Sequence, residues 1–247
     1  MRKKILILAK SNKKRHDGTY GKCVAGVSLE PGDGYKWIRL VADRQGDSLL
    51  DSQFPYETLD VIDVELYPCP LGNQIENCCF RVYEKTGHIS VDGLRNIFEK
   101  MPHSFFGSMS DSAISPHNSL TILLAKNLHI HWLERAGRKY QKVDFDMGNN
   151  HATNISMTDP EHYTNKDQGA TKDILLAICV ASLPSEPSFQ DYYPKFIAAI
   201  FPIEDYQNTG INDSGFEKSP FSYRDIPDIK NDDPSDDFII DLNEVPF

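Results

Sequence analysis

Lys22-Cys23-Val24-Ala25-Gly26-Val27, Pro31-Gly32-Asp33-Gly34 and Tyr35-Lys36-Trp37-Ile38-Arg39-Leu40-Val41 follow one another near the start of the chain, and their reading decides the fold. The first and third segments carry the apolar, β-branched and aromatic residues of strands, and the middle one is a strong turn signal. Alternation with period 2 in the third separates a Tyr35/Trp37/Arg39 face from a Lys36/Ile38/Leu40 face. Outward from this unit, Lys4–Ala9 is a compact apolar run suited to a strand with little solvent exposure. Val61–Tyr67 and Cys78–Tyr83 bring the set Lys4–Ala9, Lys22–Leu29, Tyr35–Ala42, Val61–Tyr67 and Cys78–Tyr83 to five. A second five follows: Leu120–Leu133, Arg138–Phe145, His151–Met157, Ile174–Leu183 and Lys195–Phe201.

Five strands with one long, irregular connection per set suit a small OB-type barrel, and here that connection is Asp43–Asp60 in the first set. The expected class is therefore mainly β, with two tandem OB-type barrels over residues 1–90 and 120–203. Residues 91–119 join them. Val91, Leu94, Ile97, Phe98 and Met101 recur at helical spacing, with Ser90 where an N-cap belongs and Pro102 placed to end the helix. Ser104–Ser119 reads as a connection, Glu161–Asp173 as a polar loop, and 204–247 as a flexible acidic tail.

With 247 residues, 40% of them apolar, the chain can build one large or two ordinary domains. No apolar run approaches the ~20 residues that span a bilayer. The opening Ile5–Ala9 stretch is too short for a signal sequence and is followed at once by Lys10, so an opening strand is expected. Five cysteines without a disulfide or zinc spacing suit a reducing, cytoplasmic setting. Charge is uneven. Residues 1–22 hold eight Lys/Arg against Asp17, whereas residues 204–247 hold twelve acids against three bases, a balance of −9 out of −10 overall. The low pI belongs to the tail and does not argue against a nucleic-acid partner for the remainder.

Several blocks carry a family resemblance: Gly21-Lys22-Cys23-Val24-Ala25-Gly26, Trp37-Ile38-Arg39, Leu59-Asp60-Val61-Ile62, Gln74-Ile75-Glu76-Asn77, Ser182-Leu183 and Tyr193-Pro194-Lys195-Phe196-Ile197-Ala198-Ala199-Ile200. In order and spacing they resemble the bacterial dual OB domain-containing proteins over roughly residues 3–202, with Leu40 departing from an expected Pro. The resemblance implies two OB barrels and supplies no established active site. The acidic end, closing on Val245-Pro246-Phe247, is similar to the tip of bacterial single-stranded DNA-binding proteins, which recruits partner proteins. A flexible acidic segment with an aromatic end can dock into a basic, apolar pocket, or compete with nucleic acid for a basic groove. An ordinary solvated tail is the alternative.

Three constellations remain. Lys13, Lys14, Arg15 and Lys22, with Trp37 and Arg39, offer cations for phosphates and flat groups for bases in the first barrel. Arg135, Arg138 and Lys139, interleaved with Trp132 and Tyr140, could extend that groove along the second. The expected partner is single-stranded DNA or RNA, with a protein partner at the tail and no membrane. Gln74, Glu76 and Asn77 suit either a ligand pocket between the barrels or the satisfaction of buried backbone groups. His129 and His131 share a strand face that a metal could use, but no third ligand is evident in sequence, so neither metal nor cofactor is expected. With no Walker lysine, Gly-x-Gly-x-x-Gly or nucleophile elbow, a catalytic role is not assigned.

Overall fold

The computed structural model describes residues 1–101, 119–162, 168–170, 174–180 and 194–202. The first barrel comprises β1 (Arg2–Lys14), β2 (Tyr20–Ser28), β3 (Trp37–Leu40), β4 (Asp60–Pro68) and β5 (Asn77–His88). They close in the order β1-β2-β3-β5-β4, with β3 and β5 parallel and β4 returning to β1. The second comprises β6 (Leu120–Arg135), β7 (Arg138–Met147), β8 (Asn150–Met157), β10 (Ile174–Val180) and β11 (Lys195–Pro202). Its ring, β6-β7-β8-β11-β10, closes by pairing β10 with β6 and repeats the first topology, including the parallel β8–β11 pair. Both rings are five-stranded Greek-key barrels. Each of the ten expected strands has its counterpart, Ile174–Leu183 as far as Val180, with 181–183 outside the described residues.

Three departures have local causes. β1 runs on to Lys14, pairing Asn12, Lys13 and Lys14 with Lys22, Gly21 and Tyr20, so most of the basic loop is strand. Within the polar loop Glu161–Asp173, a short β9 (Gln168–Ala170) pairs antiparallel with Leu128–Ile130 of β6, and a three-residue strand carries no hydrophobic period to read. Helix α1 ends at Phe98, short of Met101; the Ser90 hydroxyl caps it, accepting from the Gly93 amide at 3.1 Å.

Alternation along the strands sorts apolar side chains into three cores. Ile5, Ile7, Val24, Ile38, Leu40, Ile62 and Val64 fill the first barrel, and Leu128, Ile130, Val143, Phe145, Leu176 and Ile197 fill the second. The opposite faces of β1, β2 and β3 (Leu6, Leu8, Ala25, Val27 and Trp37) meet those of β6, β10 and β11 (Ile122, Leu175, Ala177, Ala198 and Phe201) in a shared third core, closed by Leu94 of α1. Strands buried on both faces need apolar residues at every position, which is why Ile5–Ala9 and Ile174–Ile178 read as unbroken runs. A backbone bond crosses the same junction: the Asn12 amide donates to the Thr158 carbonyl at 2.9 Å, while the Thr158 amide donates within the second barrel to the Ile197 carbonyl at 2.9 Å. Among the described residues, no helix is long and apolar enough to cross a membrane.

Candidate functional site

An OB barrel usually presents its ligand-binding surface on the outward face of its second and third strands, flanked by the loop joining the first two. In the first barrel that surface is lost. Trp37 and Arg39 are only 5% and 3% exposed, and Cys23 to Ser28 of β2 is buried throughout. The Trp37 ring packs in the shared core, so it has no free face on which a base could stack.

Arg39 enters a buried polar cluster at the same junction. Its Nη2 donates to Ser119 Oγ at 2.7 Å and lies 3.4 Å from Glu76 Oε1, and Nη1 lies 3.0 Å from Cys23 Sγ. The Ser119 hydroxyl donates in turn to Glu76 Oε1. Thus Arg39 and Glu76, assigned on sequence to two different sites, form one ion pair that ties β3 to the start of the second barrel. Gln74 and Asn77 are buried beside it, with the Asn77 amide donating to Gln74 Oε1 at 3.4 Å. A concavity of about 390 Å³ in the first barrel is lined by Val41, Leu49, Tyr56, Phe80 and Val82, and by none of Gln74, Glu76 or Asn77.

The remaining first-barrel cations are engaged with the protein. Arg15 lies in the β1–β2 turn, 3.2 Å from Asp47 and bonded to the Ser48 carbonyl. Lys13 donates to the Gly46 carbonyl at 3.1 Å, and Lys14 is half-buried. Lys22 donates to Asn12 at 2.6 Å, and burial pushes its ammonium pKa below the ordinary lysine range. These groups brace β1, β2 and the loop before η1 (Asp51–Gln53), and their positions do not assemble the expected groove.

The equivalent surface of the second barrel is differently placed. Its inward side chains, Val143, Phe145, Ala152, Ile155 and Met157, leave the intervening residues of β7 and β8 facing outward. In register, β6 and β7 pair Leu133 with Tyr140, His131 with Lys142 and His129 with Asp144, and directly opposed residues share a face. Arg135 and Arg138 flank the β6–β7 hairpin, whose two-residue loop Ala136-Gly137 holds φ values of 49° and 77°. Positive φ at both positions gives the turn the twist of its strands and projects the Arg135, Arg138 and Lys139 cluster from the barrel end. Arg138 and Lys139 are exposed, and Trp132 and Tyr140 are half-buried.

Beside this hairpin the strands gather a cluster that sequence reasoning had left incomplete. The His129 and His131 rings stack at 5.1 Å. Asp144 Oδ2 lies 3.6 Å from His131 Nδ1, and the ligand atoms of all three residues fall within 4.8 Å of one another. Asn154 of β8 secures both partners. Its Oδ1 lies 3.2 Å from His131 Nε2, and its backbone amide donates to Asp144 Oδ1 at 2.7 Å. Asp144 is distant in sequence from the histidines, and only the β6–β7 register brings it to them. Val245, Pro246 and Phe247, the expected partner-binding tip, lie outside the described residues.

The dual OB-containing domain family matches residues 3–200, and the chain belongs to that family. Comparison with curated proteins gives no match.

Proposed function

We propose that this OB-fold protein binds single-stranded nucleic acid along the outward β6–β7–β8 face of its second barrel, with the first barrel serving as the scaffold. The observation that carries the reading is the asymmetry between two barrels of one topology. The first spends its β2–β3 face on the shared core, whereas the equivalent β7–β8 face turns outward beside a cationic hairpin. Arg135, Arg138 and Lys139 would engage phosphates at the hairpin, and Tyr140, on the outward face opposite Leu133, would offer aromatic surface, a stacked base contributing about 1–3 kcal/mol. The acidic C-terminal segment competes for the hairpin or recruits a protein partner through Val245, Pro246 and Phe247. In either role its negative charge meets a positive surface.

Fluorescence anisotropy with labelled single-stranded and duplex DNA and RNA tests this. Three phosphate contacts to a single strand give a slope of log K against log salt near about −2. Replacing Arg135, Arg138 and Lys139 together by Glu is expected to abolish binding and its salt slope. Replacing Lys13 and Lys14 by Glu is expected to leave both nearly unchanged. Truncation after Lys230 is expected to tighten binding. Undetectable binding at low salt by both the full and truncated chains would overturn the proposal.

A further inference from the structure

We infer that His129, His131 and Asp144 form a binding site for a zinc-type divalent cation. The inference stands apart from the nucleic-acid reading, although the site shares its face of the barrel.

Ligand chemistry and geometry agree. Two imidazoles and one carboxylate are the donor set of three-ligand zinc sites, which hold a fourth position open for water or an anionic oxygen. Around a tetrahedral ion with ligands at about 2.0–2.1 Å, neighbouring ligand atoms stand roughly 3.3–3.5 Å apart. The His131 Nδ1 to Asp144 Oδ2 separation of 3.6 Å is close to that edge, and the ligand atom of exposed His129 lies within 4.8 Å of both, a gap that rotation of its side chain closes. The 3.6 Å separation is too long for a hydrogen bond, and Nδ1 is buried with no hydrogen-bond partner. With Asn154 Oδ1 accepting from Nε2–H, the Nδ1 lone pair faces a carboxylate oxygen: two acceptors with space for a cation between them.

The supporting residues are arranged as outer partners of a metal site. A ligating histidine ordinarily donates its other N–H to an oxygen, which fixes tautomer and ring orientation. Asn154 does this for His131 while its backbone amide holds Asp144 Oδ1 and leaves Oδ2 directed at the imidazole. Asn154 does so from the left-handed region (φ 56°), a conformation of measurable cost for a residue other than glycine. On the other side, a bulge between Lys126 and His129, with Asn127 at φ 50°, sets the register that places His129 opposite Asp144. Lys142, opposite His131, turns its ammonium to Ser156 Oγ at 3.1 Å.

The test is titration of Zn²⁺ into tag-free, chelator-treated full-length protein without nucleic acid, by calorimetry and by competition with a chromophoric chelator. One ion per chain is expected. His129→Ala, His131→Ala and Asp144→Asn are each expected to weaken binding by about tenfold or more, and His151→Ala and Cys69→Ser to leave it unchanged. Substituted Co²⁺ is expected to show d–d bands without thiolate charge transfer. His129 is exposed and Asp144→Asn keeps the side-chain shape, so these two variants carry the test if His131→Ala unfolds. No saturable binding, binding retained by the His129→Ala/Asp144→Asn double variant, or binding lost with Cys69→Ser would each overturn the inference.

Discussion

Removing the Arg39 guanidinium should destabilise the fold severely, and removing Glu76 with it should restore most of the loss. The side chains are 4% and 2% exposed and 3.4 Å apart, so water cannot replace either partner. In Arg39→Met, Glu76 keeps the Ser119 hydroxyl on Oε1, but Oε2 is already buried without a hydrogen-bond partner. An uncompensated carboxylate in that position costs about 3–5 kcal/mol. Arg39→Met/Glu76→Leu removes both charges and fills the volume with apolar atoms, and should lie within about 1–2 kcal/mol of wild type. The double-mutant cycle would then give a coupling energy of at least about 2 kcal/mol. Urea unfolding followed by far-UV circular dichroism and tryptophan fluorescence measures each value. A cost below about 1 kcal/mol for Arg39→Met, or additive single effects, would refute the reasoning. Oligonucleotide affinity should be unchanged in every variant that remains folded. A selective loss of affinity would return Arg39 to a binding role.

Because one core joins both barrels, unfolding should be a single cooperative transition, with tryptophan fluorescence from Trp37 and Trp132 and far-UV circular dichroism superimposing; two separated transitions would show the barrels to be independent. Acid should destabilise the protein through Asp60, Asp63 and Asp33. Burial acts to raise the Asp60 pKa, but Lys85, the Glu57 amide and His88 outweigh it and hold the carboxyl below the ordinary range. Arg2 lowers Asp63, and Lys3 and Ser28 lower Asp33. With folded pKa values below unfolded ones, their stabilisation is present above about pH 4 and is lost as pH falls through the folded values, so Asp60→Asn should flatten the acid limb of a stability–pH curve. Burial, with Cys79 Sγ 3.5 Å away, pushes the Cys69 thiol up to about 11, so at pH 8 it should resist alkylation until denaturant is added; rapid native-state labelling would contradict this.

Ten strands, their two-set grouping and the capped helix were legible because each depends on neighbours within a few residues. The Tyr35–Val41 alternation even separated the two destinations of β3, with Ile38 and Leu40 entering the barrel and Trp37 and Arg39 the other face. What that second face meets was not legible, since an outward aromatic and an outward arginine look alike whether solvent, nucleic acid or another barrel covers them. Gln74, Glu76 and Asn77 were legible as a polar block; their burial beside Arg39, with Glu76 Oε2 and Asn77 Oδ1 left without a hydrogen-bond partner, was not. Arg135, Arg138 and Lys139 were legible as a basic stretch, and the register places them on the paired ends of β6 and β7.

The sequence by itself determined the period, the turns and hence two five-stranded units, because a strand's faces are set by its own alternation. Only the tertiary structure decided that β1–β3 of one barrel cover β6, β10 and β11 of the other, which buries the outward face of β2–β3 and leaves that of β7–β8 outside the shared core. It also decided that Asp144 stands beside His129 and His131. Pairing register and barrel docking are set by contacts between residues far apart in the chain, and no local pattern encodes which outward faces those contacts will consume.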